Sequence, residues 1–257
     1  MAVSMHTVLG TALRELRFQP TDKRIRALRG GAVVADSTRA ALVWEPRRVV
    51  PTYAVPATDV LGELRPVLDP RVAAHTCPGA ALSVAVAGEV LADVAFRPAD
   101  PELADMVLLD FAAFDWSEED EPVLGHPRDP FHRVDVRRSS RRVRMAIGSL
   151  VVAESDRPSL VFETMLPVTR FYLPREDVRV PLAPSETRTY CAYKGAASHF
   201  SVDGVGEAGI DVAWSYESPL PDCPQIAGLV AFYQERIDVS VDGVPIERPR
   251  TPWSGNG

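Results

Sequence analysis

The sequence predicts a mainly β protein made of two tandem small antiparallel β units, with a short N-terminal helix. Three observations lead to this prediction: an internal repeat, closely spaced runs in which apolar and polar residues alternate, and turns rich in Pro and Gly, of which the 257 residues contain 23 and 16. A composition of 46% hydrophobic and 25% charged residues excludes long disorder, collagen and a disulfide scaffold. No apolar run approaches the ~18–20 residues that a membrane-spanning helix needs.

The N-terminal helix is predicted over residues 6–17, where apolar residues recur at the spacing of one helical face. The apolar positions are Val8, Leu9, Leu13 and Leu16. Residues 1–22 are assigned to this helical segment. They lack the basic start, apolar stretch and small-residue cleavage site of a signal peptide, which favours a cytoplasmic protein.

The cysteines favour the same compartment. The three of them, Cys77, Cys191 and Cys223, are odd in number and too widely separated for a disulfide framework. The sequence has no C-x-x-C pair, and its five histidines show no metal-ligand spacing. We therefore expect a reducing, cytoplasmic environment, with no metal site and no cofactor.

A tandem duplication divides the chain. Residues 23–60 align with residues 141–178 at an offset of 118 without a gap, and fifteen of the 38 positions are identical. Self-similarity at a fixed period marks a repeated structural unit. Two shorter matches at the same offset extend it, namely 93–96 with 211–214 and 113–114 with 231–232.

The repeat sets the expected boundaries. The first β repeat is assigned to 23–122 and the second to 141–247, joined by an Arg-rich linker over 123–140 and followed by a flexible tail over 248–257. Residues 133–144 hold six arginines, which either form an anion or nucleic-acid patch or belong to a solvated connection. The solvated connection is favoured, since no aromatic residue interleaves the arginines and the net charge is −7.

The second repeat shows its elements most clearly. Residues 143–147 and 150–155 are joined by a Gly-Ser turn, which predicts a hairpin. Only 221–229, with prolines at its start, indicates a helical turn. Further strands are predicted within 159–164, 169–174, 187–195, 198–202, 211–218 and 231–243.

One motif separates the two repeats. Where the first has Cys77-Pro78-Gly79, the second has Cys191-Ala-Tyr-Lys-Gly195, so Tyr193 and Lys194 have no counterpart. The chain holds 26 Arg and only two Lys, which makes Lys194 a departure from its composition. Since a buried lysine amine can lose its proton, Lys194 is a candidate anion-binding or catalytic group, and an exposed strand lysine is the alternative.

Cys191 is the second catalytic candidate. Lys194, Arg188 and His199 lie close to it in sequence and would favour a nucleophilic thiolate. A free cysteine that only packs is the commoner case. The first repeat keeps Cys77 without a lysine, which favours packing.

Large side chains accompany this motif. Trp214 and Tyr216 share one face of a predicted strand, and with Tyr193 they either line a pocket for a flat or cationic ligand or form the strand core. Both interpretations stay open.

A glutamate is repeated in the two copies as Glu45 and Glu163. It is interpreted as the structural ion-pair partner of Arg26 in the first copy and of Arg144 in the second.

The second repeat resembles domain-of-unknown-function family 427. The resemblance covers 141–247 and, more weakly, 23–116, so the chain resembles a tandem two-copy version of that family. The segments that carry it are 144–178, 189–202, 211–216 and 226–233.

The resemblance implies a small β-tent-like fold, which zinc-binding and small-molecule-binding domains also use. The paired cysteines of the zinc-binding members are absent from this sequence. In the first repeat only Cys77 and Gly79 match, which implies a degenerate site there. The family motif positions carry over as Cys191, Tyr193, Lys194, Gly195, Trp214 and Tyr216.

These observations lead to two functional hypotheses. The first is a cytosolic protein that binds a small anionic or carbonyl-containing molecule at the second repeat, with an enzymatic role left open. The alternative is a non-catalytic structural or protein-interaction module whose motif serves as strand core. The expected partner is a small molecule, with no nucleic acid and no membrane, and the oligomeric state is left open. The ligand-binding candidates are Tyr193, Lys194, Gly195, Trp214, Tyr216, Arg188 and His199.

Overall fold

The protein is described by a computed structural model that covers residues 2–67, 75–166, 168–251 and 254. The chain divides into two compact units, Met1–Asp129 and Pro130–Gly257, called here the first unit and the second unit. Strands make up 48% of the structure, which confirms the mainly β, tandem prediction. Among the described residues, no helix combines the length and the hydropathy required to span a bilayer.

The first unit begins with a helix, α1 (Met5–Ala12), and continues as antiparallel strands. The strands are β1 (Arg17–Pro20), β2 (Ile25–Arg29), β3 (Ala32–Ser37), β4 (Ala41–Trp44), β5 (Thr52–Pro56), β6 (Glu63–Pro66), β7 (Gly79–Val86), β8 (Glu89–Pro98), β9 (Met106–Leu109), β10 (Asp115–Glu118) and β11 (Glu121–Val123). A seven-stranded large sheet has the order β1-β4-β5-β9-β8-β7-β6, and a four-stranded small sheet has the order β11-β10-β2-β3.

The second unit repeats this architecture. Its strands are β12 (Val134–Arg138), β13 (Val143–Ile147), β14 (Leu150–Ser155), β15 (Ser159–Glu163), β16 (Arg170–Leu173), β17 (Ala183–Cys191), β18 (Gly195–Ser201), β19 (Ala213–Ser215), β20 (Val230–Phe232), β21 (Asp238–Val241) and β22 (Val244–Ile246). The large sheet has the order β12-β15-β16-β20-β19-β18-β17 and the small sheet β14-β13-β21-β22. Each strand of this unit therefore has a counterpart in the first.

Details of register confirm the duplication. Both units shift register at the same point of the first small-sheet hairpin, and both close the same isolated bridge. The equivalent positions are Ala27/Leu28 with Met145/Ala146, and Ala35–Val60 with Ala153–Val178.

The two faces of each large sheet differ in what covers them. In the second unit the inner face packs on the small sheet, where Phe171 and Leu173 of β16 meet Met145 of β13 in one apolar core. Side chains alternate along a strand. Tyr172 therefore lies on the opposite, outer face, where a separate cluster includes Trp214 and Val161.

The repeat begins earlier than residues 23 and 141. Residues 17–20 end the predicted helical segment as strand β1, and residues 134–138 of the predicted linker form strand β12. Both are edge strands of the large sheets. The alternation of Val134 and Val136, whose side chains pack on the outer cluster, makes this arginine-rich segment a strand.

The offset of the repeat also changes along the chain. Phe96 pairs with Leu108 in the first unit, and Trp214 pairs with Ala231 in the second. Ala231 thus corresponds to Leu108, and the predicted match of 113–114 with 231–232 is wrong. The cause is a connection after Trp214 that is five residues longer than its counterpart.

Part of the predicted tail is attached to the second unit. Thr251 donates a hydrogen bond from Oγ1 to Glu235 Oε1, and its backbone N–H donates to Ser254 Oγ at 2.8 Å. Residues 252, 253 and 255–257 of that tail lie outside the described residues.

Candidate functional site

The sequence motif lies at the outer face of the large sheet of the second unit. Glu163 is the last residue of β15. Its side chain lies on this face, because side chains alternate along a strand and Val161, two residues earlier, belongs to the outer cluster. Tyr193 and Lys194 occupy the turn between β17 and β18. We call the group formed by Glu163, Lys194, His132 and Tyr193 the Glu–Lys cluster.

The centre of this cluster is a buried ion pair. Lys194 Nζ donates to Glu163 Oε2 at 2.6 Å, and each of the two side chains is 9% exposed. Lys194 is therefore neither an exposed strand lysine nor an isolated cation. A buried pair of this kind is costly to desolvate, and removing one partner leaves the other charge uncompensated.

His132, which was not a candidate from the sequence, completes the cluster. His132 Nε2 lies 3.7 Å from Glu163 Oε2, and the His132 ring packs on the Tyr193 ring with centroids 4.2 Å apart. His132 is 18% exposed and stands just before β12. His132 was not selected as a candidate because it lies in the predicted linker and no spacing in the sequence connects it with Glu163.

The carboxylate of Glu163 stays ionised. Burial by itself raises the pKa of this group, but the contacts from His132 and Lys194 outweigh burial and lower it to about 2. The cluster therefore combines a carboxylate that is ionised near neutral pH with an amine at hydrogen-bond distance.

The ion pair does not use all its hydrogen-bonding capacity. Glu163 Oε1 accepts no hydrogen bond from the described part of the chain, and Lys194 Nζ donates only to Glu163 there. A lysine ammonium has three N–H donors and a carboxylate oxygen accepts more than one bond. The cluster thus holds a spare acceptor and spare donors next to each other.

Aromatic side chains cover the sheet beside the cluster. Trp214 donates from Nε1 to the Tyr172 hydroxyl at 3.1 Å, and both side chains are buried together with Tyr216. Burial raises the pKa of Tyr172 and of Tyr216, so both phenols stay protonated. They are neutral groups near Glu163.

A second buried ion pair, also missed in the sequence, lies on the same face. Arg170 donates to both carboxylate oxygens of Glu235 at 2.6 and 2.7 Å, and its guanidinium lies 5.6 Å from the Trp214 ring centroid. Arg170 precedes Tyr172 by two residues, which places both on the outer face. No periodicity in the sequence predicts a pair separated by 65 residues.

The longer connection after Trp214 covers the outer face. Within it, Leu220 donates its backbone N–H to the Lys194 carbonyl at 3.1 Å, and Cys223 Sγ lies 3.7 Å from the Tyr193 carbonyl. Burial raises the pKa of Cys223 to about 11, so this thiol is neutral. The connection therefore holds the backbone of the Tyr-Lys turn in place.

Gly195 has a conformational role. Its φ of +96° lies in a region that L side chains rarely adopt, directly after Lys194. The turn that presents Lys194 to Glu163 depends on this glycine.

The structure does not bring the remaining candidates into the cluster. Cys191 is opposite Gly195 in the sheet, whereas His199 bonds Thr189 Oγ1 through Nε2 at 2.9 Å, four residues further along β18. Arg188 points to the other face and donates to carbonyls of its own strand. No hydrogen bond or ion pair reaches Cys191 Sγ within the described chain, so the proximity in sequence to Arg188 and His199 does not become a catalytic dyad.

The first unit has a different arrangement at the same place. Glu45, the counterpart of Glu163, accepts from the Thr76 backbone N–H at 2.9 Å and lies 3.2 Å from His75 Nδ1. His75 stacks on Phe96, which replaces Trp214, with ring centroids 3.8 Å apart. Arg48 Nε also lies 3.4 Å from Glu45 Oε2, so an arginine, a histidine and a backbone N–H take the place of the lysine.

The predicted arginine partners of the two glutamates are wrong. Glu163 pairs with Lys194, because Arg144 belongs to the small sheet, which covers the opposite face. In the first unit, Arg26 pairs with Asp120. The prediction that this glutamate makes an ion pair holds, but with other residues.

No group of three or more His, Cys, Asp or Glu side chains in the described ranges is arranged to hold a metal ion.

Comparison with known families agrees with this two-unit structure. The family model described as domain of unknown function (DUF427) matches residues 17–123 and 135–243. These segments begin at the equivalent edge strands β1 and β12, and the chain belongs to this family as a two-copy member. A search of curated proteins finds no match.

Proposed function

We propose that the protein binds a small molecule at the Glu–Lys cluster of the second unit. The observation that supports this function is the spare acceptor of Glu163 beside the spare donors of Lys194 in a buried setting. A polar group of a largely buried cluster is stabilised by a hydrogen-bonding partner, and a bound molecule would supply one. In the first unit, Glu45 has a backbone donor, a histidine and Arg48 as partners, and no lysine lies beside it.

The proposal concerns binding and includes no reaction. Lys194 is held by Glu163, and Cys191 has no activating partner among the described residues.

A structural role of the motif is the second candidate, and burial favours it. Tyr193, Trp214 and Tyr216 are each less than 8% exposed and contribute to the packing of the outer face. In that case ordered water would satisfy the spare groups, and no small molecule would compete with it.

Thermal-shift screening separates the two candidates. Wild type and Lys194→Met are screened against a library of carbonyl-containing and anionic compounds, with Lys23→Met as the matched control in the first unit. Binding at the cluster predicts compounds that raise the Tm of wild type and of Lys23→Met but not that of Lys194→Met. A library in which no compound distinguishes these proteins would overturn the proposed function in favour of the structural role.

The test does not depend on the variant alone. If Lys194→Met fails to fold, the same compounds are titrated into wild type and followed by the NMR signals of the His132 and Tyr193 rings. Binding elsewhere would leave those signals unchanged and would equally contradict the proposal.

A further inference from the structure

The charge of the Glu–Lys cluster decides which ligands suit it. Glu163 and Lys194 neutralise each other at 2.6 Å, and the neighbouring Tyr172, Tyr216 and Cys223 are uncharged. His132 adds positive charge only when it is protonated. An anion that approached Lys194 would therefore also meet the carboxylate of Glu163 without a compensating cation, at a cost that grows as water is excluded.

The unused hydrogen-bonding groups favour an uncharged ligand that carries one donor and one acceptor on the same edge. The spare acceptor belongs to Glu163 Oε1 and the spare donors to Lys194 Nζ, and Oε1 is on the same carboxylate as the Oε2 atom that Nζ contacts at 2.6 Å. A partner that satisfies both must donate and accept from adjacent atoms. A lactam does this, because its N–H and C=O lie on the same edge of a planar group.

The cluster can be approached from the side of His132. His132 is the most exposed member of the cluster, since 18% of its side chain is exposed. The opposite side is covered by the connection that carries Leu220 and Cys223. A planar ligand that enters beside His132 would reach Glu163 and Lys194 along its edge and contact an aromatic ring with its face.

We infer that the ligand of the second unit presents an uncharged lactam edge, with its N–H bound by Glu163 and its C=O bound by Lys194. This inference rests on the proposed function and narrows the expected ligands from carbonyl-containing or anionic molecules to lactams. Glu163 is then a residue that determines specificity, since it accepts from the ligand and also cancels the charge that would attract an anion.

Three small probes test the inference in the full-length protein: 2-pyridone, N-methyl-2-pyridone and benzoate. Binding is followed by ligand-observed NMR at pH 8, where histidine side chains are ordinarily uncharged. We expect 2-pyridone to bind wild type and Lys23→Met at least tenfold more tightly than N-methyl-2-pyridone, which lacks the donor. Benzoate is expected to bind at least tenfold more weakly than 2-pyridone as well.

The variant Glu163→Gln provides the sharper test. It removes the negative charge and leaves Lys194 as an uncompensated cation, so the preference is expected to invert, with benzoate binding more tightly than 2-pyridone. Glu176→Gln, at an exposed glutamate of the same unit, is the control and should keep the wild-type order. If Glu163→Gln does not fold, the order in which the three probes rank by affinity for wild type is enough to decide whether the inference holds.

The possible failures are distinguishable. Benzoate binding tightest to wild type through Lys194 would overturn the lactam edge and leave the proposed function standing. Equal binding of 2-pyridone and its N-methyl derivative would also overturn it, since no N–H would then be recognised. If no probe binds and the thermal-shift library also gives no Lys194-dependent compound, both proposals fail.

Discussion

Lys194 Nζ lies 2.6 Å from Glu163 Oε2, and this contact joins the turn after β17 to the end of β15 across 31 residues of sequence. It replaces, in the second unit, the contacts that Glu45 makes with Arg48, His75 and Thr76 in the first. The same strand position therefore carries a carboxylate in both copies, and the copies differ in what neutralises it.

Replacing Lys194 by Met should destabilise the second unit by about 3–5 kcal/mol, because the buried Glu163 carboxylate loses its cation. The double variant Lys194→Met/Glu163→Leu should recover most of that loss, since no charge then remains buried. The measurement is hydrogen exchange of second-unit peptides in increasing urea, with Lys23→Met as control. A double variant no more stable than Lys194→Met would contradict this account of the pair.

Low pH should reduce the folding stability of the second unit, because the Glu163 carboxylate becomes protonated. The pKa of this carboxyl is lowered from its ordinary 4.5 to about 2 in the folded protein, so its contribution is fully present above pH ~4.5 and is lost as the pH falls towards 2. The shift corresponds to about 3 kcal/mol by linkage. Stability of the second unit is measured at several pH values between 7 and 2.

The variant Glu163→Gln should flatten that acid dependence, whereas Glu176→Gln should leave it close to that of wild type. An unchanged pH profile in Glu163→Gln would show that other carboxyl groups cause the acid loss.

Breaking the Arg170–Glu235 pair should cost about 3–5 kcal/mol in Glu235→Gln, because the guanidinium is buried and donates from both terminal nitrogens, Nη1 and Nη2. Thr251→Ala, which removes one further hydrogen bond to Glu235, should cost only about 1 kcal/mol. Urea unfolding with a second-unit readout compares the two variants. If Thr251→Ala cost as much as Glu235→Gln, the buried pair would not be the main contribution.

Cys77 and Cys223 should react slowly with iodoacetamide in the native protein. Burial raises the pKa of each thiol from 9 to about 11, and for Cys77 the nearby Glu45 carboxylate acts in the same direction. Two pKa units reduce the thiolate fraction at pH 8 roughly a hundredfold. Mass spectrometry of the alkylated peptides, with free cysteine as reference, gives the rates.

Glu45→Gln should increase the rate at Cys77 and leave the rate at Cys223 unchanged, since Glu45 lies 3.6 Å from Cys77 Sγ. Rapid alkylation of Cys77 or Cys223 in the wild-type protein would contradict the assigned surroundings of these thiols.

The sequence predicted the architecture well because strand patterns and duplication are local or periodic signals. The hairpin over 143–155 and the strand around Tyr172 follow from alternation and turn residues alone. The strand over 134–138 was missed, since its arginines suggested a solvated connection while only two valines carried the pattern. The altered offset near Ala231 was missed because the extra residues lie in an irregular segment.

The site was only partly predictable. Lys194 was found through its rarity, and Tyr193 through its absence from the first repeat. The partners His132 and Glu235 were not found, because contacts across 31 and 65 residues depend on which strands become neighbours. Arg188 and His199 were selected by closeness in sequence, but alternation and register place them away from Lys194.

The two lysines differ in exposure, since the side chain of Lys23 is 49% exposed and pairs with Glu118, whereas that of Lys194 is 9% exposed. Reagents that couple to amines will therefore react at Lys23 far sooner than at Lys194. A fluorophore or a sensor surface can then be attached through the first unit while the Glu–Lys cluster stays chemically intact. The rarity of lysine thus becomes a practical means of immobilising the protein for binding measurements on its second unit.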